Sequence, residues 1–134
     1  MTPELTALAL AGLLQMAQTA LMSVPANLEL GADRTLSPRD GMNLEAEVSP
    51  GTARLVRANR NHHEALILFA VAVTVVSLGP GTTQFTAAMA WIYLVARVLY
   101  VPAYRFGWTP WRSVFFAVAW LASGLMLLAA LIGG

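Results

Sequence analysis

The chain has 134 residues, room for one compact unit, and 57% of them are hydrophobic while only 11% are charged. A soluble domain carries about 25% charged residues, and the mean hydropathy here is +0.63, so composition excludes a water-soluble globule and points to a membrane protein. A net charge of +1 leaves no basic stripe for nucleic acid, and the lack of cysteine removes disulfides, thiolate metal sites and a catalytic thiol of the protein's own.

The first predicted span covers about residues 5–28 and holds no charge; roughly 20 apolar residues suffice to cross a bilayer. A cleaved signal peptide is the competing reading, but Met1 to Glu4 lacks a positive n-region. The segment from Glu29 to Pro50 is the polar connection, with a turn signal at Ser37-Pro38-Arg39-Asp40. Ser49 is placed to cap a second helix and Pro50 to occupy its first turn. That helix carries the second span, about residues 51–78, and stops at Gly79-Pro80-Gly81. A third span covers about 84–104 and a fourth about 111–132, joined by the basic, aromatic turn Arg105-Phe-Gly-Trp-Thr-Pro-Trp-Arg112. The expected architecture is all-α, a single four-span membrane domain over 1–134. Arg34, Arg39 and Arg54 fall around the first connection, Arg105 and Arg112 in the third, and none in the second. The positive-inside tendency then puts both termini outside the cytoplasm.

The stretch Arg57-Ala-Asn-Arg-Asn-His-His-Glu64 runs straight into an uncharged span. Helical offsets of three, four and seven put Arg57, Arg60, Asn61 and Glu64 on one face. Arg97, Tyr100 and Tyr104 repeat that spacing on the third helix, and Arg112 and Ser113 open the fourth. Four arginines against one glutamate leave excess positive charge where hydration is poor and Coulomb repulsion is strong. A ligand bearing carboxylates is the simplest neutraliser, since arginine's planar fork grips carboxylates in pairs. All eight basic residues are arginine, which a GC-rich genome explains equally well. Span-end arginines also snorkel to lipid phosphate, Arg60 and Glu64 are spaced for a structural ion pair, and tyrosines at helical spacing often only pack. His62 and His63 are adjacent, cannot share a helix face, and make a poor metal pair; no metal site is expected.

Taken together, Arg57-Ala-Asn-Arg60-Asn61-x-x-Glu64, the run from Arg97 to Tyr104 and Pro110-Trp-Arg112-Ser113 resemble the MAPEG family, the membrane-associated proteins in eicosanoid and glutathione metabolism. The resemblance covers essentially the whole chain and is nearest to bacterial members. It implies a four-helix subunit in a homotrimer, in a bacterial inner membrane, with glutathione held between subunits on the cytoplasmic side and the termini in the periplasm. Arg57, Arg60, Asn61, Glu64, Arg97 and Tyr104 match glutathione-binding positions, with Tyr100 on the same face. Arg112 matches the arginine that stabilises the thiolate, and Ser113 stands beside it as a thiol hydrogen-bond donor. The implied activity is glutathione transfer to, or peroxidase action on, a lipophilic electrophile arriving from the bilayer. The chain departs from the prostaglandin synthase branch at Tyr100, where that branch has histidine, and at Phe116, where it has tyrosine. It also lacks the first-span arginine of some relatives, so eicosanoid specificity is not implied. Two rival classes remain: a non-catalytic binder of anionic lipid, and a small proton-coupled transporter centred on Glu64.

Overall fold

The computed structural model describes residues 1–36 and 43–133, so the turn expected at Ser37-Pro38-Arg39-Asp40 lies outside them. Among the described residues the secondary structure is helical without strand: α1 (Pro3–Leu30), α2 (Ala32–Thr35), α3 (Leu44–Glu47), α4 (Pro50–Leu78), α5 (Gln84–Arg105) and α6 (Trp111–Gly133). The four long helices α1, α4, α5 and α6 are each apolar and long enough to cross a membrane. The all-α, four-span reading of the sequence holds.

Local chemistry sets the helix ends. Thr2, Ser49 and Thr83 each turn a side-chain oxygen onto an otherwise unpaired amide of the first turn, and Pro follows at the start of α1 and α4. Thr83 and Thr86 complete a reciprocal capping box on α5. The polar connection is also tied down: Glu29, in the last turn of α1, accepts from the Ser49 amide and the Thr52 hydroxyl at the start of α4.

Each long helix buries one stripe. On α1 it is Glu4, Ala7, Ala11, Gln15 and Gln18, spaced three or four apart as a single helix face demands. On α5 it is Thr86, Ala90, Tyr93, Arg97 and Tyr100. Alanines recur where helices meet, at Ala7, Ala11, Ala72, Ala90, Ala96, Ala119 and Ala122. Lipid chains are as apolar as leucine, so close packing and not hydrophobic exclusion binds spanning helices together, and small side chains allow it. Ala88, by contrast, faces outward.

The first and third connections meet at one end of the bundle. The Arg105 guanidinium lies over Gly51, where a Cβ would stand 2.6 Å from its central carbon and the side chain would have to shift. Arg54 donates to the Arg105 carbonyl at 3.4 Å and passes beside Gly107, whose φ of +68° suits glycine. These two arginines, which the sequence also allows to reach for lipid phosphate, hold the connections against each other.

Candidate functional site

The polar residues gather at that same end, in two layers. The inner layer centres on Arg97, whose side chain is 0% exposed. Its Nε–H donates to His62 Nδ1 at 3.3 Å, its Nη1 donates to Asn61 Oδ1 at 2.9 Å, and its guanidinium lies 4.1 Å from the Tyr100 ring centroid. His62, equally buried, places Nε2 3.1 Å from the Ala11 carbonyl. Because Arg97 can only donate, Nδ1 must accept and Nε2 must carry the proton. One tautomer satisfies both contacts, and the imidazole thereby links α1, α4 and α5.

The same logic orients Asn61. Its carbonyl oxygen is committed to Arg97, so its NH2 group is left to donate elsewhere. Arg97 Nη2 has no partner among the described residues.

The outer layer centres on Tyr104. Arg57 Nε donates to the Tyr104 hydroxyl at 3.1 Å, and Arg112 lies 5.1 Å from the same ring on its way in from α6. Tyr100 and Tyr104 sit one turn apart, with ring centroids separated by 5.5 Å. Glu45 of α3 reaches across to Arg60 and, at 3.6 Å, to Arg57. A carboxylate of the protein therefore occupies two of the guanidinium forks.

Between the layers opens a cavity of about 190 Å³ lined by Asn61, Tyr100, Tyr104, Arg112, Ser113 and Phe116. Helices α4, α5 and α6 all contribute. Asn61 and Phe116 also line a second, deeper cavity of about 210 Å³ between α4 and α6, where Leu68, Trp120 and Ser123 take over. The polar end thus adjoins a mainly apolar groove. A third hollow of about 360 Å³, on the outer face of α5 and α6, is lined only by apolar side chains such as Trp91, Leu99 and Val118.

Of the nine residues singled out from sequence, Asn61, Tyr100, Tyr104, Arg112 and Ser113 share the first cavity. Arg57 and Arg97 back it through Tyr104 and Asn61. Arg60 and Glu64 do not line it. The ion pair that their spacing allows is absent, since Arg60 pairs with Glu45. Glu64 is exposed at the side of α4, where it lines the deeper groove without a partner among the described residues.

Sequence reasoning missed a polar seam on α1. Gln15 Nε2 donates to Asn59 Oδ1 at 2.7 Å and meets His63 Nδ1 at 3.2 Å, with Thr19 joining Asn59 at 3.3 Å. The visible signal was Gln15 inside an otherwise apolar span, since buried amides seek partners. His62 was dismissed because an adjacent histidine pair cannot bind one metal; its role is to hold an arginine. Among the described residues no cluster of histidine and acids could hold a metal ion.

Fold and site together define a membrane protein of four long apolar helices with a cationic, tyrosine-walled pocket at one end of the bundle. The MAPEG family model matches residues 5–132, and the chain belongs to the MAPEG family. A search among curated proteins finds no match.

Proposed function

We propose that this protein binds glutathione at the polar end of the bundle and uses its thiolate against lipophilic electrophiles, as a glutathione transferase or peroxidase. The observation that carries this reading is that the pocket holding Arg112 and Ser113 adjoins the apolar groove behind Phe116, the two sharing Asn61 and Phe116. A water-soluble thiol and a membrane-soluble electrophile can meet there without either leaving its own solvent.

The donor set fits the ligand. Glutathione carries two carboxylates and an ammonium, and bidentate arginine–carboxylate contacts are among the strongest charge-assisted hydrogen bonds. Arg57 and Arg60 already hold a carboxylate, that of Glu45, so their forks are set for one. Glu64 is left to receive an ammonium. Asn61 offers its free amide hydrogens to the pocket, and Arg97 fixes Asn61 in that orientation. The nucleophile in such chemistry is the thiolate, which a nearby guanidinium favours over the thiol. Arg112 supplies that charge and Ser113 a hydroxyl donor, while the Tyr104 ring fixes where the guanidinium sits. In transfer to an activated aryl chloride, a C–S bond forms, the C–Cl bond breaks and chloride leaves.

An assembly is part of this reading. A carboxylate projecting unpaired from the side of a spanning helix is costly in lipid, and a second subunit against α4 would cover Glu64. The family resemblance makes that assembly a homotrimer, in a bacterial inner membrane with the site cytoplasmic and the termini periplasmic.

The test is calorimetric titration of glutathione into the purified native oligomer, beside Arg57→Ala, Arg60→Ala and Arg112→Ala. Saturable binding weakened in the first two variants, with Arg112→Ala losing turnover of an activated aryl chloride far more than binding, supports the reading. No binding to the intact native oligomer removes it and leaves the anionic-lipid reading in front.

A further inference from the structure

Two arginines at the polar end take no part in the pocket. The Arg105 guanidinium lies face-on to Gly51, since a Cβ there would stand 2.6 Å from Cζ and 2.7 Å from both Nη atoms. A planar cation seated on its face turns its N–H edges outward. Arg105 has no hydrogen bond or ion pair of its side chain among the described residues, only the Phe106 ring 5.4 Å from Cζ. Arg54 gives one N–H to the Arg105 carbonyl at 3.4 Å and has no carboxylate partner either.

The acids of the first connection are committed elsewhere. Glu29 accepts from Ser49 and Thr52, Glu45 holds Arg57 and Arg60, and Glu47 holds Arg34. Asp33, back in α2, pairs with no arginine. Gly51 is the second residue of α4, so Arg105 rests at the positive pole of that helix, where an anion is favoured and a cation is not. Glu29 offsets the pole with one charge, which leaves two guanidiniums without an answer.

Their surroundings say which anion. Phe106, Trp108 and Trp111 belong to the same turn and are all exposed; aromatic side chains gather at the headgroup level of a bilayer. Phe106 follows Leu99 by seven residues and Leu99 follows Ile92 by seven, so helical spacing puts the three on one face of α5 and its cap. Ile92 and Leu99 line the apolar hollow of about 360 Å³ on the outer face of α5 and α6. At about 1.5 Å per residue, Leu99 lies roughly 9 Å along the axis from Arg105. Free phosphate answers the charges alone, whereas a phospholipid answers the charges and the hollow together.

We propose that Arg54 and Arg105 form a binding site for the phosphate of an anionic phospholipid, with an acyl chain in the outer hollow of α5 and α6. Guanidinium forks match phosphate oxygens. A choline headgroup brings its own cation and gains less from the pair. The site stands apart from the pocket of Arg112 and does not rest on the glutathione reading.

The test is native mass spectrometry of the purified protein in neutral detergent, equilibrated with equal amounts of phosphatidylglycerol and phosphatidylcholine. Native protein should retain phosphatidylglycerol in preference, by at least about tenfold. Arg54→Gln and Arg105→Gln should each lower its affinity about fivefold, the scale of one arginine near an anionic headgroup. Arg112→Gln removes the same charge from the neighbouring pocket and should leave the preference within about twofold of native. Val95→Trp fills the hollow and should also lower phosphatidylglycerol retention. Excess glycerol phosphate, the headgroup chemistry without chains, should leave the lipid bound. Equal retention of the two lipids by native protein overturns the proposal, and that comparison needs no variant to fold. Displacement by glycerol phosphate, unchanged retention in either glutamine variant or in Val95→Trp, or an equal loss in Arg112→Gln overturns it as well.

Discussion

His62 offers the sharpest test of how the pocket is held. Replacing it by leucine keeps most of the buried volume and removes the acceptor for Arg97 Nε, 3.3 Å away. The Ala11 carbonyl keeps its helical N–H partner within α1, so its loss is small. The Arg97 loss is larger, because that side chain is 0% exposed and its Nη2 is already unpartnered. Interhelical hydrogen bonds between neutral groups in membranes average only about 0.6 kcal/mol. A charged donor raises a bond to about 1.5–3 kcal/mol. His62→Leu should therefore destabilise the subunit by about 2 kcal/mol, and His62→Gln, whose amide oxygen can still accept, by less than about 1 kcal/mol. Unfolding by sodium dodecyl sulfate in mixed micelles, followed by circular dichroism, reads both values. A double-mutant cycle with Arg97→Leu isolates the pair, since His62→Leu should cost little once the guanidinium is gone. The reasoning fails if His62→Leu unfolds within about 0.5 kcal/mol of native, or if the two substitutions add within that margin.

Further outcomes follow from the outer layer and the caps. Glu45→Gln frees the forks of Arg57 and Arg60 and should tighten glutathione binding severalfold at low ionic strength; the gain should shrink as salt screens the rim. Tyr104→Phe removes the acceptor of Arg57 Nε but keeps the ring beneath Arg112. It should weaken glutathione binding by roughly threefold to tenfold, with turnover of the bound complex nearly preserved, as titration and saturation kinetics on one preparation would reveal. Ser49→Ala removes the cap of α4 and a donor to Glu29, and should cost about 1 kcal/mol in the same unfolding assay. Glu64→Gln should leave the flux of small cations across reconstituted vesicles at background, as in native protein, whereas a proton-coupled transporter would lose transport.

Much of the fold was legible because each level of the chain agreed with the next. Charge-poor runs of spanning length, a Ser-Pro start, a Gly-Pro-Gly stop and a second connection without arginine all describe four helices able to cross a bilayer. Half of the site was legible for a related reason: offsets of three, four and seven place side chains on a helix face whatever lies opposite. That argument ends at the edge of each helix. It grouped Arg60 with Glu64, while the partner that Arg60 takes, Glu45, sits 15 residues earlier on a short helix of the connection. It paired His62 with His63 as failed metal ligands, when the real partners of His62 are Ala11 and Arg97, 51 and 35 positions away.

Contacts across helices depend on rotation and depth, and hydropathy leaves both unspecified. The same limit explains Tyr93 and Ser123, which look in sequence like ordinary residues of apolar spans. Only packing shows that both residues lie beside one cavity with hydroxyls that lack a partner among the described residues. In a bilayer such an omission weighs more than in water, because no solvent enters to correct it. A soluble bundle with two unpaired core hydroxyls could admit water through a loosened seam.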